Sequence, residues 1–312
     1  MPHLRIDHST GGFTLTAGPG ILGGVSGSRG FIIRSSGAAA LVLFLVSTLI
    51  YAEEPRVEAL LAGAEAAFDR WSEPFDFDAY EASLRKAISL WEEALPLLPA
   101  EDSATKIRVL NRLSQAWFEL ATAYQPDARD REATFERARD AGLAALELDP
   151  AFVATREANG FRAALRAATD VETIFWYGNT LGSWLDFHRT RAIFGGVRDV
   201  GASFERSIEL DETYDGAGPH RAMGIFVAQA HFLVGQSRDD AVEHFERSIE
   251  IDPTYLENYV NYAEYYARGT DDDLFDRLIA AVLEAAEDPA IVMAHPLYNH
   301  LAIERAHRLA AD

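Results

Sequence analysis

The segment Phe204–Tyr214 (FERSIELDETY) recurs as Phe245–Tyr255 (FERSIEIDPTY), with nine identities in eleven positions at a spacing of 41 residues. A third copy of its end, Ala145–Pro150 (ALELDP) followed by Phe152, lies 62 residues upstream of the first, and a weaker one closes Trp91–Pro99 (WEEALPLLP). Each reads as an amphipathic helix stopped near a proline, which has no N–H to continue the ladder. A helical unit of this size cannot cover its own apolar face. It becomes stable by stacking on the next unit, so internal repetition limits this chain to a stacked-helix architecture.

The helix preceding each such end also has one apolar face. Trp117, Leu120, Ala121 and Tyr124 fall at i, i+3, i+4 and i+7, and Tyr259, Tyr262, Ala263 and Tyr266 repeat the arrangement. These positions resemble the tetratricopeptide repeat (TPR). Leu60, Ala64, Phe68 and Trp71 form another stripe, as do Leu84, Ile88, Trp91 and Leu95. Residues 153–198 match no repeat and read as two or more inserted helices, and 290–311 read as a capping helix. The expected fold is all-α: an irregular TPR helical solenoid with extra helices between repeats.

The first fifty residues are a separate segment. Arg5, Arg29 and Arg34 precede an apolar run from Ala38 to Tyr51, and Glu53, Glu54 and Pro55 follow Ala52. This pattern predicts a signal peptide cut after Ala52, with 1–52 as leader and 53–312 as a single solenoid domain exported to the periplasm. The run is short for a membrane span of roughly 20 residues. Left uncleaved, it would anchor the chain at the inner membrane. The GxGxxG pattern at Gly18–Gly23 has no strand before it and no helix after it, so it is read as a Gly-rich leader and not as a nucleotide site.

Composition narrows the functions further. The chain has no cysteine, which excludes disulfides, thiolate zinc sites, iron–sulfur clusters and a cysteine nucleophile. Its net charge of −21 argues against nucleic acid, which needs clustered Lys and Arg. No HExxH or GxSxG occurs, and Asp271–Asp273 read as a helix cap, so no metal, cofactor or catalytic group is expected.

The middle of the chain carries a longer pattern. Trp176 and Tyr177 with Gly182 and Trp184 come first, then Glu209–Asp211. The stretch Tyr214–Gly224 (YDGAGPHRAMG) and Ala263–Ala267 (AEYYA) follow in that order. Together these motifs resemble the T-component (TatT) family of tripartite ATP-independent periplasmic (TRAP) transporters. The resemblance implies a non-enzymatic accessory protein with a hydrophobic central channel. It further implies a periplasmic solute-binding protein as partner, an apolar small molecule as ligand, and a homo-oligomer, a trimer in the family. The lack of any cysteine departs from the lipoprotein members. The alternative is a generic exported TPR scaffold for protein–protein interaction.

The repeat frame laid back from Pro253 puts Met223, Phe226, Ala230 and Leu233 on the concave side. All four are apolar, where a carboxylate-gripping repeat would place Lys, Arg or Asn. With Trp176, Tyr177 and Trp184 they form the candidate channel lining. The same residues fit plain core packing against the inserted helices, and the glycines at 216 and 218 are expected to turn the chain into the next helix.

Overall fold

The structure is a computed structural model that describes residues 55–70 and 75–311. The predicted leader, its cleavage site and Trp71 lie outside these residues. Among the described residues all regular structure is helical and there is no strand, as the periodicity requires.

Helix α1 covers residues 55–68. It is followed by α2 (Phe77–Ala94), α3 (Ser103–Tyr124), α4 (Ala128–Glu147), α5 (Pro150–Asn159), α6 (Phe161–Ala167) and α7 (Val171–Leu185). After a turn at α8 (Arg189–Arg191) and a π-helical stretch, Ala192–Gly196, come α9 (Val197–Asp211), α10 (Tyr214–Val234) and α11 (Asp240–Ile251). The chain closes with α12 (Glu257–Tyr262), a π-helical stretch at Ala263–Ala267, α13 (Asp272–Ala285), α14 (Pro289–Val292) and α15 (Pro296–Ala311).

Aspartate starts many of these helices. Asp76, Asp102, Asp127, Asp149, Asp170, Asp271 and Asp288 each accept a backbone N–H of the first turn of α2, α3, α4, α5, α7, α13 and α14. Each fills an orphan donor and places negative charge at the positive end of the helix dipole. Part of the acid surplus is therefore spent on helix starts. Pro150 does more than stop a helix: α4 ends at Glu147 and the proline opens α5 at its first position, where a missing N–H costs nothing.

The sequence repeat is a structural repeat. Phe204 and Phe245 are both buried, as are Ser207 and Ser248. Asp211 accepts the N–H and hydroxyl of Thr213 at 2.9 and 2.7 Å, and Asp252 accepts those of Thr254 at 3.0 and 2.7 Å. The same Asx turn thus redirects the chain after α9 and after α11.

The buried side chains form two apolar clusters. One joins α1, α2 and part of α3 around Phe68, Leu84, Ile88 and Trp91. The other extends from Ala121 to Leu309 and holds Trp176, Phe204, Phe245 and Val260. Helix α15 serves both, with Leu297 in the first and Ala302, Ala306 and Leu309 in the second. The C-terminal stretch expected as one helix is instead two, because Pro296 begins a new helix at its first turn after His295.

Candidate functional site

The predicted lining residues sit on α7 and α10. Trp176, Tyr177, Trp184 and Met223 are buried within the large cluster, and Phe226 lies partly exposed against it. Ala230 and Leu233 are outside that cluster, one turn and two turns further along α10. The indole of Trp176 donates to the Tyr214 hydroxyl at 3.0 Å and meets Phe175 edge-on, with centroids 5.2 Å apart. Trp184 is stacked on His188 at 3.8 Å, and the Arg139 guanidinium stands 3.9 Å from its ring. Its indole N–H has no partner among the described residues. Phe226 reaches α9 at Gly201, where an added Cβ would stand 3.0 Å from the ring.

A polar cluster lies where α3, the start of α10, α12 and α15 meet, and the periodicity gives no sign of it. Glu119 projects from the buried side of α3 and is 1% exposed. Gln115 donates to it at 2.9 Å, the Tyr298 hydroxyl at 3.1 Å and the Tyr80 hydroxyl at 3.4 Å. Burial outweighs these donors and pushes its carboxyl up to about 8, so the group is largely protonated near neutral pH.

The second half of the cluster is a strained loop. Asp215, Gly216 and Ala217 have φ of 51°, 57° and 63°, a left-handed run in which two residues carry a side chain. Such backbone persists only where the surroundings over-determine it. Arg221 supplies that constraint from the next turn. Its Nη1 donates to the Gly216 carbonyl at 3.0 Å and to Asn258 Oδ1 at 3.1 Å. Its Nη2 donates to the Asp215 carbonyl and carboxylate at 3.2 and 2.9 Å. The guanidinium lies 4.0 Å from the Tyr255 ring centroid. Burial holds Asp215 up at about 6 despite the adjacent Arg221. The Tyr255 hydroxyl is buried without a hydrogen-bond partner.

Beside this cluster, His220 Nδ1 stands 3.0 Å from His244 Nδ1, while its Nε2 faces Glu212 at 3.1 Å. One ring must donate and the other accept, and burial lowers both from the usual histidine value. Arg247 holds Glu212 down at about 2 through paired hydrogen bonds. His220, Glu212 and Arg247 line an open cleft of about 800 Å³ that also carries Asp239, Glu243, Glu246 and Glu250. Among the described residues no group of three or more His, Asp or Glu is arranged to hold a metal ion.

The signal that could have exposed Glu119 is its position beside Leu120 and one turn after Gln115, which makes it a charge on a core face. Asp215 and Arg221 belong to the Tyr214–Gly224 motif, whose residue types alone assign neither a role. No curated protein matches the chain. The family model described as TRAP transporter T-component (TAtT) matches residues 117–312, more than half of the sequence and the whole of the α7–α10 region. The chain belongs to the TRAP transporter T-component family.

Proposed function

We propose that this T component is exported through its N-terminal signal, binds a periplasmic solute-binding protein, and holds an apolar ligand against the wall formed by α7, α9 and α10. Family membership already implies association with TRAP transporter components in a periplasmic or membrane-associated location. No helix among the described residues is long and apolar enough to cross a membrane.

The observation that carries the ligand reading is the composition of α10. From Ala222 to its end at Val234 it has no Asp, Glu, Lys or Arg, in a chain that is 25% charged. Phe226 and Leu233 on this stretch are only partly covered. Apolar side chains that are only partly covered are what a site for an acyl or aromatic ligand requires.

Two titrations test the proposal. The purified solute-binding protein of the same transporter is titrated into the chain, and no heat of binding with or without its substrate would remove the partner assignment. A fluorescent fatty acid, cis-parinaric acid, tests the wall: Phe226→Ala should weaken its binding on the order of tenfold while the melting temperature holds. Equal affinity of variant and wild type would remove the ligand site.

A further inference from the structure

We propose that the end of the α9–α10 pair carrying Ile193, Phe194 and Phe232 docks on an anionic phospholipid surface. The inference is independent of the transport reading. Ile193 is 66% exposed, Phe194 87% and Phe232 70%, and apolar side chains exposed together mark interaction sites where single ones do not.

Helix register brings them together. The Phe226 ring of α10 touches Gly201 of α9, and the two helices run antiparallel through the turn at Glu212–Thr213. Continuing that register up α10 and down α9 puts Phe232 at the same end as Phe194. The chain turns there through Gly195, at φ 133°, so Ile193 and Phe194 stand on the outer side of a tight bend.

The bend itself carries a charge opposite to that of the molecule. Between Phe187 and Val197, and on to Arg198, there is no Asp or Glu, while Arg189, Arg191 and Arg198 are all exposed. Of the flanking acids, Asp199 is engaged by Arg162 at 2.8 Å and Asp186 lies one turn before Arg189. Helix α10 contributes His231 and the loop after it Arg238, Asp239 and Asp240, and Glu132 pairs with His188 at 3.4 Å, so the basic surplus is confined to the bend itself. A basic rim around projecting Phe and Ile is the chemistry that inserts at a headgroup layer. The net charge of −21 does not cancel it, because charges farther away than about 8–10 Å are screened at physiological salt.

The test uses the full chain and vesicles of phosphatidylcholine with or without phosphatidylglycerol. Wild type should co-sediment with the anionic vesicles and be released by salt, and Phe194→Ser and Arg189→Gln/Arg191→Gln should each lower that binding on the order of tenfold. Residues 1–54 are common to all these proteins, so the difference reports the bend. The cysteine-free sequence gives a second readout: Thr190→Cys carries a single environment-sensitive dye, whose emission should shift to the blue on anionic vesicles alone. An unshifted dye, or variants that bind anionic vesicles like wild type, would overturn the proposal. A fall in molecular mass of Phe194→Ser in solution without lipid binding would instead assign the patch to a second copy of this chain.

Discussion

The hydroxyl of Tyr298 donates to Glu119 at 3.1 Å, joining residues 179 positions apart in the sequence. The bond ties α15 to the middle of α3 through a carboxyl that burial holds up at about 8. Glu119 in an unfolded chain titrates near its ordinary 4.5. The fold therefore binds a proton more tightly than the unfolded chain does.

The sign of the resulting pH dependence follows. Glu119 costs the fold nothing below about 4.5, weakens it progressively as pH rises toward about 8, and adds no further slope above that. Glu119→Gln keeps an uncharged amide among the same donors. Urea denaturation should show the variant losing less stability than wild type between pH 6 and 9, by an amount on the order of a few kcal/mol. Parallel stability curves for the two proteins would refute the assignment.

The histidine pair acts in the opposite direction. His220 and His244 are held below their usual value by burial, so the fold favours the neutral rings. Stability from this pair is complete above about pH 6.5 and is lost as pH falls through the lowered values. In a Glu119→Gln background the melting temperature should fall on acidification from pH 7.5 to 5.5, by less than the pair alone would give because Asp215, held up at about 6, acts the other way. His220→Asn/His244→Asn should remove most of that fall, and an unchanged fall would place its origin elsewhere.

Gly216 and Gly235 both have positive φ, 57° and 76°, yet they differ in surroundings. An added Cβ at Gly216 would stand 2.1 Å from the Tyr255 ring, whereas at Gly235 nothing lies within 4 Å. Gly235→Ala should cost about 1–2 kcal/mol, the price of the backbone alone. Gly216→Ala adds displacement of a buried tyrosine and should cost clearly more in the same denaturation assay. Equal losses would mean that Tyr255 yields freely.

Trp184 is 4% exposed and sandwiched by His188 and Arg139. Trp184→Ala should lower stability by about 3–5 kcal/mol. A variant that melts with wild type but loses cis-parinaric acid binding would show that the ring faces a ligand and carries little of the core.

The helical class, the repeat and the aspartate caps are legible in the sequence because they depend on neighbours within one or two turns. The left-handed loop is only half legible. Gly216 and Gly218 announce a turn, but the left-handed residues are Asp215, Gly216 and Ala217, while Gly218 is small because Phe175 would lie 2.6 Å from a Cβ there. Ala217 takes an unfavourable backbone because Arg221 and Asn258 fix its neighbours, and no local pattern announces that. Glu119 is illegible for a similar reason: Tyr80, Gln115 and Tyr298 converge on it from three helices, two of them remote in sequence.

Because α15 contributes to both apolar clusters, the first described helices are completed by the last one. Leu297 and Tyr298 are among the last sixteen residues of the described chain, yet they finish the lining around α2 and α3. A chain lacking them leaves the cluster that holds Leu84 and Leu120 without Leu297, and Glu119 without one of its donors. Clipping the tail should accordingly loosen the opposite terminus first.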